Sequence, residues 1–247
     1  MSGILITGTD TGVGKTYVGC LLARVLRQQG HAVGVMKPCE TGLNLQGFQE
    51  GRDTSLERFP PQSDAGLLAE AAQSQAPPSD VLPLAFSLAA APAVAAAEAG
   101  MEVDLSELFE AYCRISAGHH PVLVEGAGGL LVPLVGDWTW ADLAAEWDLP
   151  ILIVARSALG TLNHVALTEE VARERGLNVL GIVVNDSDRP TTEDEESNLG
   201  LLEDFVRAPI LARVSHGGGL SPSETDRCVA AVMKQISSSS ALGGSGG

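Results

Sequence analysis

Short runs of consecutive apolar residues alternate along this chain with longer stretches whose apolar positions recur every three or four residues. Ile4–Thr7, Ala32–Met36, Val122–Val124, Ile151–Ala155 and Val179–Val184 are of the first kind. Each is aliphatic, uncharged and bounded by Gly or polar positions, the pattern of a strand covered on both faces. Between them the period becomes helical. One helix is predicted from about Lys15 to Gln29, with Gly30 as its stop. Another starts at Asp104, where Asp104 and Glu107 have capping-box spacing. A third follows Thr139, and a fourth begins at Thr161 as N-cap and stops at Gly176. This alternation predicts right-handed crossovers and an α/β fold: a single-domain, doubly wound, mostly parallel sheet with helices on both faces.

The pattern weakens between Pro38 and Pro92, a stretch that contains Pro77-Pro78. Connections of that length are usually functional or mobile. Glu193-Asp194-Glu195-Glu196 reads as the solvated first turn of a late helix. Residues 237–247 are Ser- and Gly-rich with little to bury, so one domain over 1–236 and a flexible tail are expected. The apolar stretch Leu84–Ala97 is too short to span a bilayer and is broken by Ser87 and Pro92. The opening runs into Ile4-Leu5-Ile6 without a basic segment, so no secretory leader is expected.

Composition narrows the function. Hydrophobic residues make up 45% of the chain but aromatic ones only 4%, so the core must be built from Ala, Val, Leu and Ile. The formal charge of −16 disfavours nucleic acid and anionic membranes as partners. A phosphate ligand would need a local positive site, which makes individual lysines informative. Cys20, Cys39, Cys113 and Cys228 form no C-x-x-C pair and have no His at metal-ligand spacing. Neither a disulfide framework nor a zinc site is expected, and a reduced cytoplasmic setting follows.

Gly8-Thr9-Asp10-Thr11-Gly12-Val13-Gly14-Lys15-Thr16 joins the first strand to the first helix. A Gly-rich turn there aims backbone N–H groups at an anion, and the helix dipole adds partial positive charge. Lys15 can reach β- and γ-phosphates, and the Thr16 hydroxyl can bind Mg²⁺. The usual spacing is G-x-x-x-x-G-K-[ST]; here Thr9 stands at the first Gly position and Gly8 lies one residue further out.

Strand ends supply further candidates, because ligands of open α/β sheets sit at the carboxyl edge. Glu125, after Val122-Leu123-Val124, is either a Mg²⁺ ligand or a surface charge, and Gly126-Ala127-Gly128-Gly129 beyond it lets backbone approach a ligand or a partner. Lys37, followed by the strand-ending Pro38, would project beside Lys15 and offset charge moving between phosphates. Asp53 is either a helix N-cap or a second metal ligand. Asn185-Asp186, with Asp188 further on, approximates a guanine reader but has Asp186 in place of its Lys, which favours adenine. The helix start at Gly160-Thr161-Leu162-Asn163 could hold a carboxylate.

In order along the chain, Gly8–Thr16, Lys37-Pro38, Val124–Gly129, Leu159–His164 and Asn185-Asp186 resemble the dethiobiotin synthetase family, including its longer P-loop spacing. The resemblance implies an ATP- and Mg²⁺-dependent cyclo-ligase that joins 7,8-diaminononanoate and CO2, working as a homodimer with substrate at the subunit interface. It implies catalytic roles for Lys37 and Lys15, and nucleotide contacts from Gly12, Val13, Gly14, Lys15, Thr16, Tyr17, Gly126, Ala127, Gly128, Asn185, Asp186 and Val214. Thr16, Asp53 and Glu125 would hold the metal. Thr11 and Thr41 would meet the diamine, and Gly160, Thr161 and Asn163 the substrate tail bound to the other chain.

Departures from the family pattern are Gly12 in place of an acidic residue, Thr41 in place of Ser, Ala93 in place of His, and a missing Gly-x-Ile-Pro stretch near Val214-Ser215-His216. Two other readings compete. Cobyrinate-type ligases carry a glutaminase domain for which this chain is too short. Dimerising ATPase switches place a Lys where Thr9 stands, and often end in a basic amphipathic helix that is missing here.

Overall fold

The computed structural model describes residues 3–186, 191–192 and 199–242, with side chains to residue 234. Asp188, the acidic run at 193–196 and the end of the expected tail, 243–247, lie outside the described residues. In chain order the elements are β1 (Gly3–Gly8), α1 (Lys15–Gln28), β2 (Gly34–Met36), β3 (Cys39–Thr41), β4 (Gly51–Arg52), α2 (Asp64–Ala72), α3 (Pro78–Val81) and β5 (Leu84–Phe86). They continue with α4 (Pro92–Glu98), α5 (Leu105–Ser116), β6 (Val122–Gly129), β7 (Pro133–Val135), β8 (Trp138–Thr139), α6 (Trp140–Glu146), β9 (Ile151–Arg156) and α7 (Thr161–Glu174). The last are β10 (Val179–Asn185), α8 (Leu202–Phe205), β11 (Ile210–Val214) and α9 (Pro222–Leu242).

Six strands form one parallel sheet in the order β11-β10-β9-β1-β6-β2. The five apolar runs of the sequence supply five of its strands: β10, β9, β1 and β6 lie inside the sheet and β2 forms one edge, with β11 at the other. Ile4, Leu5 and Ile6 on β1, Leu123 and Val124 on β6 and Ile153 and Val154 on β9 are wholly buried, as strands with helices on both faces require. With β1 near the middle, the turn after Gly8 opens at the centre of the carboxyl edge, and β2, β6 and β9 deliver their last residues to either side.

The irregular stretch after Pro38 has structure of its own. β3 pairs parallel with β5, and β5 antiparallel with β4, in a separate small sheet. The helix α2 packs on α1, so closely at Gly19 that a Cβ there would sit 2.9 Å from Leu68 Cδ2. Sequence periodicity passed over these elements because each is too short to show a period.

Helix ends follow local chemistry. The Thr139 N–H and hydroxyl both donate to the Asp142 carboxylate and open α6. Asp104 caps α5 by accepting from Ser106 N–H at 2.8 Å, but Glu107 pairs with Arg52 instead of closing the box. Thr161 is the first residue of α7, not its cap; Gly160 takes that place at φ 94°, which a β-branched residue would resist. The last helix runs to Leu242, so the chain stays helical past Ser237, where a flexible tail was expected. Among the described residues no helix is long and apolar enough to cross a membrane.

Trp140 at the start of α6 is fully buried behind the end of β6, where a Cβ on Gly126 would come 3.3 Å from Trp140 Cδ2. Trp140→Ala is expected to cost about 3–5 kcal/mol. A lowered urea midpoint at unchanged m-value checks it, and an unchanged midpoint would remove Trp140 as the support of this strand end.

Candidate active site

The turn after β1 is shaped by glycines at conformations other residues avoid. Gly12 lies at φ 75° and Gly14, the cap of α1, at φ 89°. A Cβ on Gly8 would sit 2.7 Å from the Asp10 carbonyl oxygen and 2.9 Å from Lys15 Nζ, so only glycine lets the loop close over the lysine. Lys15 Nζ donates to the Asp10 carbonyl at 3.1 Å. Burial, then the charge of Lys37, pulls its pKa down to about 8.

Beside this loop lies a cluster of buried charge. Thr16 Oγ1 donates to Glu125 Oε1 at 2.8 Å. Lys37 Nζ donates to the same Glu125 oxygen and to Asp64 Oδ2, the latter at 2.9 Å. Lys37 and Glu125 are 3% and 1% exposed, so the pair has left water. Burial alone would lower the Lys37 pKa, but the carboxylates of Glu125 and Asp64 more than reverse this and hold the ammonium charged. Burial acts to raise Asp64, but the Lys37 charge together with the hydrogen bonds from Lys37 and Thr16 outweighs it and holds the carboxyl below its usual range. Glu40, on β3, is buried as well; its pKa rises to about 7, burial prevailing over the charge of Lys37.

These groups line a cavity of about 580 Å³. Of the residues singled out in the sequence, Thr11, Gly12, Gly14, Lys15, Thr16, Lys37, Thr41, Glu125, Ala127 and Gly128 face it. Asp53 does not. Its carboxylate accepts from Ser55 N–H at 2.9 Å and Ser55 Oγ at 2.7 Å, and it lines a different cavity with Asp80, Glu107 and Arg114. Asp53 is thus a turn cap, and the second carboxylate of the cluster is Asp64. Sequence reasoning missed Asp64 and Glu40. The available signal was Ser63-Asp64 opening an Ala- and Leu-rich helix, with Ser63 accepting from Gly66 N–H.

The remaining residues surround the loop's other side. Val13 is buried and its carbonyl accepts from Asn185 Nδ2 at 3.0 Å. Tyr17 Oη donates to the Gly218 carbonyl at 2.5 Å, tying α1 to the segment after β11. Asp186 N–H donates to the Val214 carbonyl, and the Asp186 carboxylate accepts from Thr191 Oγ1. Gly126 rests on Trp140 outside the cavity. Gly160 and Asn163 are exposed at the start of α7, while Thr161 is buried and its hydroxyl donates to the Arg156 carbonyl. None of these three lines the cavity.

The donors at the cavity suit a divalent cation such as Mg²⁺. Glu125 Oε2 is buried without a hydrogen-bond partner, Glu125 Oε1 accepts from the Thr16 hydroxyl, and the Asp64 carboxylate lines the same cavity. Among the described residues no group of three or more His, Cys, Asp or Glu is gathered for a metal. Two carboxylates and a hydroxyl, completed by phosphate oxygens, suit Mg²⁺ and its habit of sharing ligands with a substrate. The residues fit.

A phosphate-cradling loop at the centre of a parallel sheet, with a lysine, a hydroxyl and two carboxylates at its mouth, defines a P-loop nucleotide-dependent enzyme. The family described as "AAA domain" matches residues 2–224. The ATP-dependent dethiobiotin synthetase of Anaeromyxobacter dehalogenans (strain 2CP-C) is 46% identical over 80% of this chain and 81% of its own length. That of Bacillus licheniformis is 39% identical over 91% and 90%, and that of Aquifex aeolicus 40% over 82% and 84%. The chain belongs to the dethiobiotin synthetase family. A ParA family ATPase from Chlorobium tepidum TLS aligns at TM-score 0.47 and 16% identity over 95% of this chain and 91% of its own, too loosely to bear on function.

Asp64→Asn is expected to reduce Mg²⁺-dependent turnover by about a hundredfold, whereas Asp53→Asn leaves it within about twofold of the parent. Steady-state rates across a Mg²⁺ titration separate the two, and the reverse ranking would restore Asp53 as the ligand.

Proposed function

We propose that this chain makes dethiobiotin from 7,8-diaminononanoate, CO2 and ATP, releasing ADP and phosphate. The single observation that carries the reading is the convergence of Lys15, Thr16, Lys37, Thr41, Asp64 and Glu125 on one cavity at the phosphate loop, in a chain of this family. One amine takes up CO2 and loses a proton to give a carbamate. A carbamate oxygen attacks the γ-phosphorus of ATP, ADP leaves, and a carbamic–phosphoric anhydride results. The second amine attacks the carbamoyl carbon, phosphate departs with loss of a proton, and the cyclic urea closes.

Each residue has work in that sequence. The N–H groups of Gly12 to Thr16 and the Lys15 ammonium bind the phosphates and hold the γ-phosphoryl group in line. Lys37, kept charged by its carboxylates, steadies first the carbamate and then the negative charge on the moving phosphoryl oxygens. Thr16, Asp64 and Glu125 would hold Mg²⁺, which when bound would neutralise phosphate charge. Thr11 and Thr41 contact the diamine. On the far side of the loop, Asn185, Asp186, Tyr17 and Val214 flank the adenine, and the bond from Asn185 to the Val13 carbonyl couples base recognition to the loop.

A homodimer completes the site in this reading. Leu159 is 80% exposed at the start of α7, and Gly160 and Asn163 beside it serve nothing in their own chain's cavity. The helix start, with the N–H groups of its first turn and the positive end of the helix dipole, would receive the substrate carboxylate bound to the other subunit. With four cysteines in no C-x-x-C pair, the setting proposed is a reduced cytoplasm.

The test is product formation. Purified protein given ATP, Mg²⁺, bicarbonate and 7,8-diaminononanoate is expected to yield dethiobiotin by mass spectrometry only when all four are present. Lys37→Ala is expected to lower kcat by about 10²–10³-fold in a folded protein. ATP hydrolysis without dethiobiotin would contradict the reading, and near-parental turnover of Lys37→Ala would contradict the role of Lys37.

A further inference from the structure

The helix α2 begins with Asp64, and its first N–H groups have partners from two sources. Ser63 Oγ accepts from Gly66 N–H at 3.1 Å, an ordinary cap from the residue before the helix. The other two donors go to a residue from another element. Glu40 Oε1 accepts from Asp64 N–H at 2.6 Å, and Glu40 Oε2 accepts from Ala65 N–H at 3.0 Å. Glu40 is 6% exposed and lines the cavity. A buried carboxylate is a costly way to satisfy two N–H groups that a turn or water could satisfy, so helix capping alone does not explain it.

What the clamp does for Asp64 explains it better. An Asp at the start of a helix readily turns its carboxylate back onto the free N–H groups of its own first turn. Glu40 occupies those groups. The Asp64 side chain, 40% exposed and otherwise free to choose, is left to face Lys37 Nζ at 2.9 Å and the Thr16 hydroxyl. Glu40 also lies three residues after Lys37 on the chain segment that delivers that lysine, so one segment sets both ends of the Lys37–Asp64 pair.

We propose that Glu40 is a positioning residue: it clamps the first turn of α2 and thereby aims the Asp64 carboxylate into the metal-binding cluster. This rests on the assignment of Asp64 to the metal made above. Substitution of such an outer partner typically weakens metal binding by about 10- to 100-fold.

Mn²⁺ binding in the presence of ADP, followed by electron paramagnetic resonance without diamine or CO2, tests it in the full chain. Glu40→Ala is expected to raise the Mn²⁺ dissociation constant about tenfold, and Glu40→Gln, which keeps one acceptor oxygen, by less. Combined with Asp64→Asn, Glu40→Ala should add almost nothing, because the two act through one carboxylate. Ser63→Ala, which removes the ordinary cap of the same helix, should leave the constant near that of the parent. The proposal is overturned if Glu40→Ala binds Mn²⁺ like the parent, if Ser63→Ala weakens binding as much, or if the double variant is additive. Should Glu40→Ala fail to fold, Glu40→Gln decides: parental affinity rejects the clamp, weakened affinity supports it. Dethiobiotin formation is assayed separately. Normal product from a parent whose Glu40 variants bind metal unchanged removes only the clamp, and the expected metal effects without any product remove only the dethiobiotin reading.

Discussion

A lysine and a glutamate, both removed from water, face each other at the mouth of the phosphate loop. Lys37 follows β2 directly and Glu125 lies on the adjacent parallel strand β6, and everything around them follows from the need to keep both charges there. A buried ion pair is a poor source of stability, since desolvation consumes most of the attraction, and losing one partner leaves the other stranded. Such a pair makes sense where chemistry needs charges in a dry site. The surroundings supply what the pair lacks: Thr16 donates to Glu125, Asp64 shares Lys37, and Glu40 holds the turn from which Asp64 projects.

The same cluster reconciles an acidic protein with an anionic substrate. A net charge of −16 would repel nucleotide phosphates over most of the surface. At the loop, however, Lys15 and Lys37 lie close enough that each acts on the other, and the charge of Lys37 helps to depress the pKa of Lys15. Their mutual repulsion is tolerated because carboxylates flank Lys37, and an incoming phosphate would relieve it. Local arrangement outweighs net charge, because low-dielectric walls screen the site far less than water screens the surface.

The readable parts of this site share one property: each lies at the end of an apolar strand. Lys15 and Thr16 follow β1 through the Gly-rich turn, Lys37 follows β2, Glu125 is the first charge in β6, and Asn185 ends β10. Parallel strands all point their carboxyl ends to one edge, so local patterns were enough to bring these residues together. Asp64 was missed because it reaches Lys37 from 27 residues away, across a stretch whose strands are two or three residues long. In that stretch Asp53 and Asp64 look alike as helix-start acids, and only packing of α2 on α1 tells them apart. Side-chain preference favours Thr161 as the cap of α7, but the backbone conformation puts Gly160 there. The helix through residues 237–242 went unread because a serine run has weak helix preference by itself.

Whether the buried cluster holds metal and phosphate together can be seen in a crystal structure of the protein with Mg²⁺ and a non-hydrolysable ATP analogue. The metal is expected to be bound by Thr16, Asp64 and Glu125, with Lys37 in the same cavity and turned to the γ-phosphate. A metal held elsewhere, at Asp53 or on phosphate oxygens alone, or Lys37 directed away from the nucleotide, would contradict it.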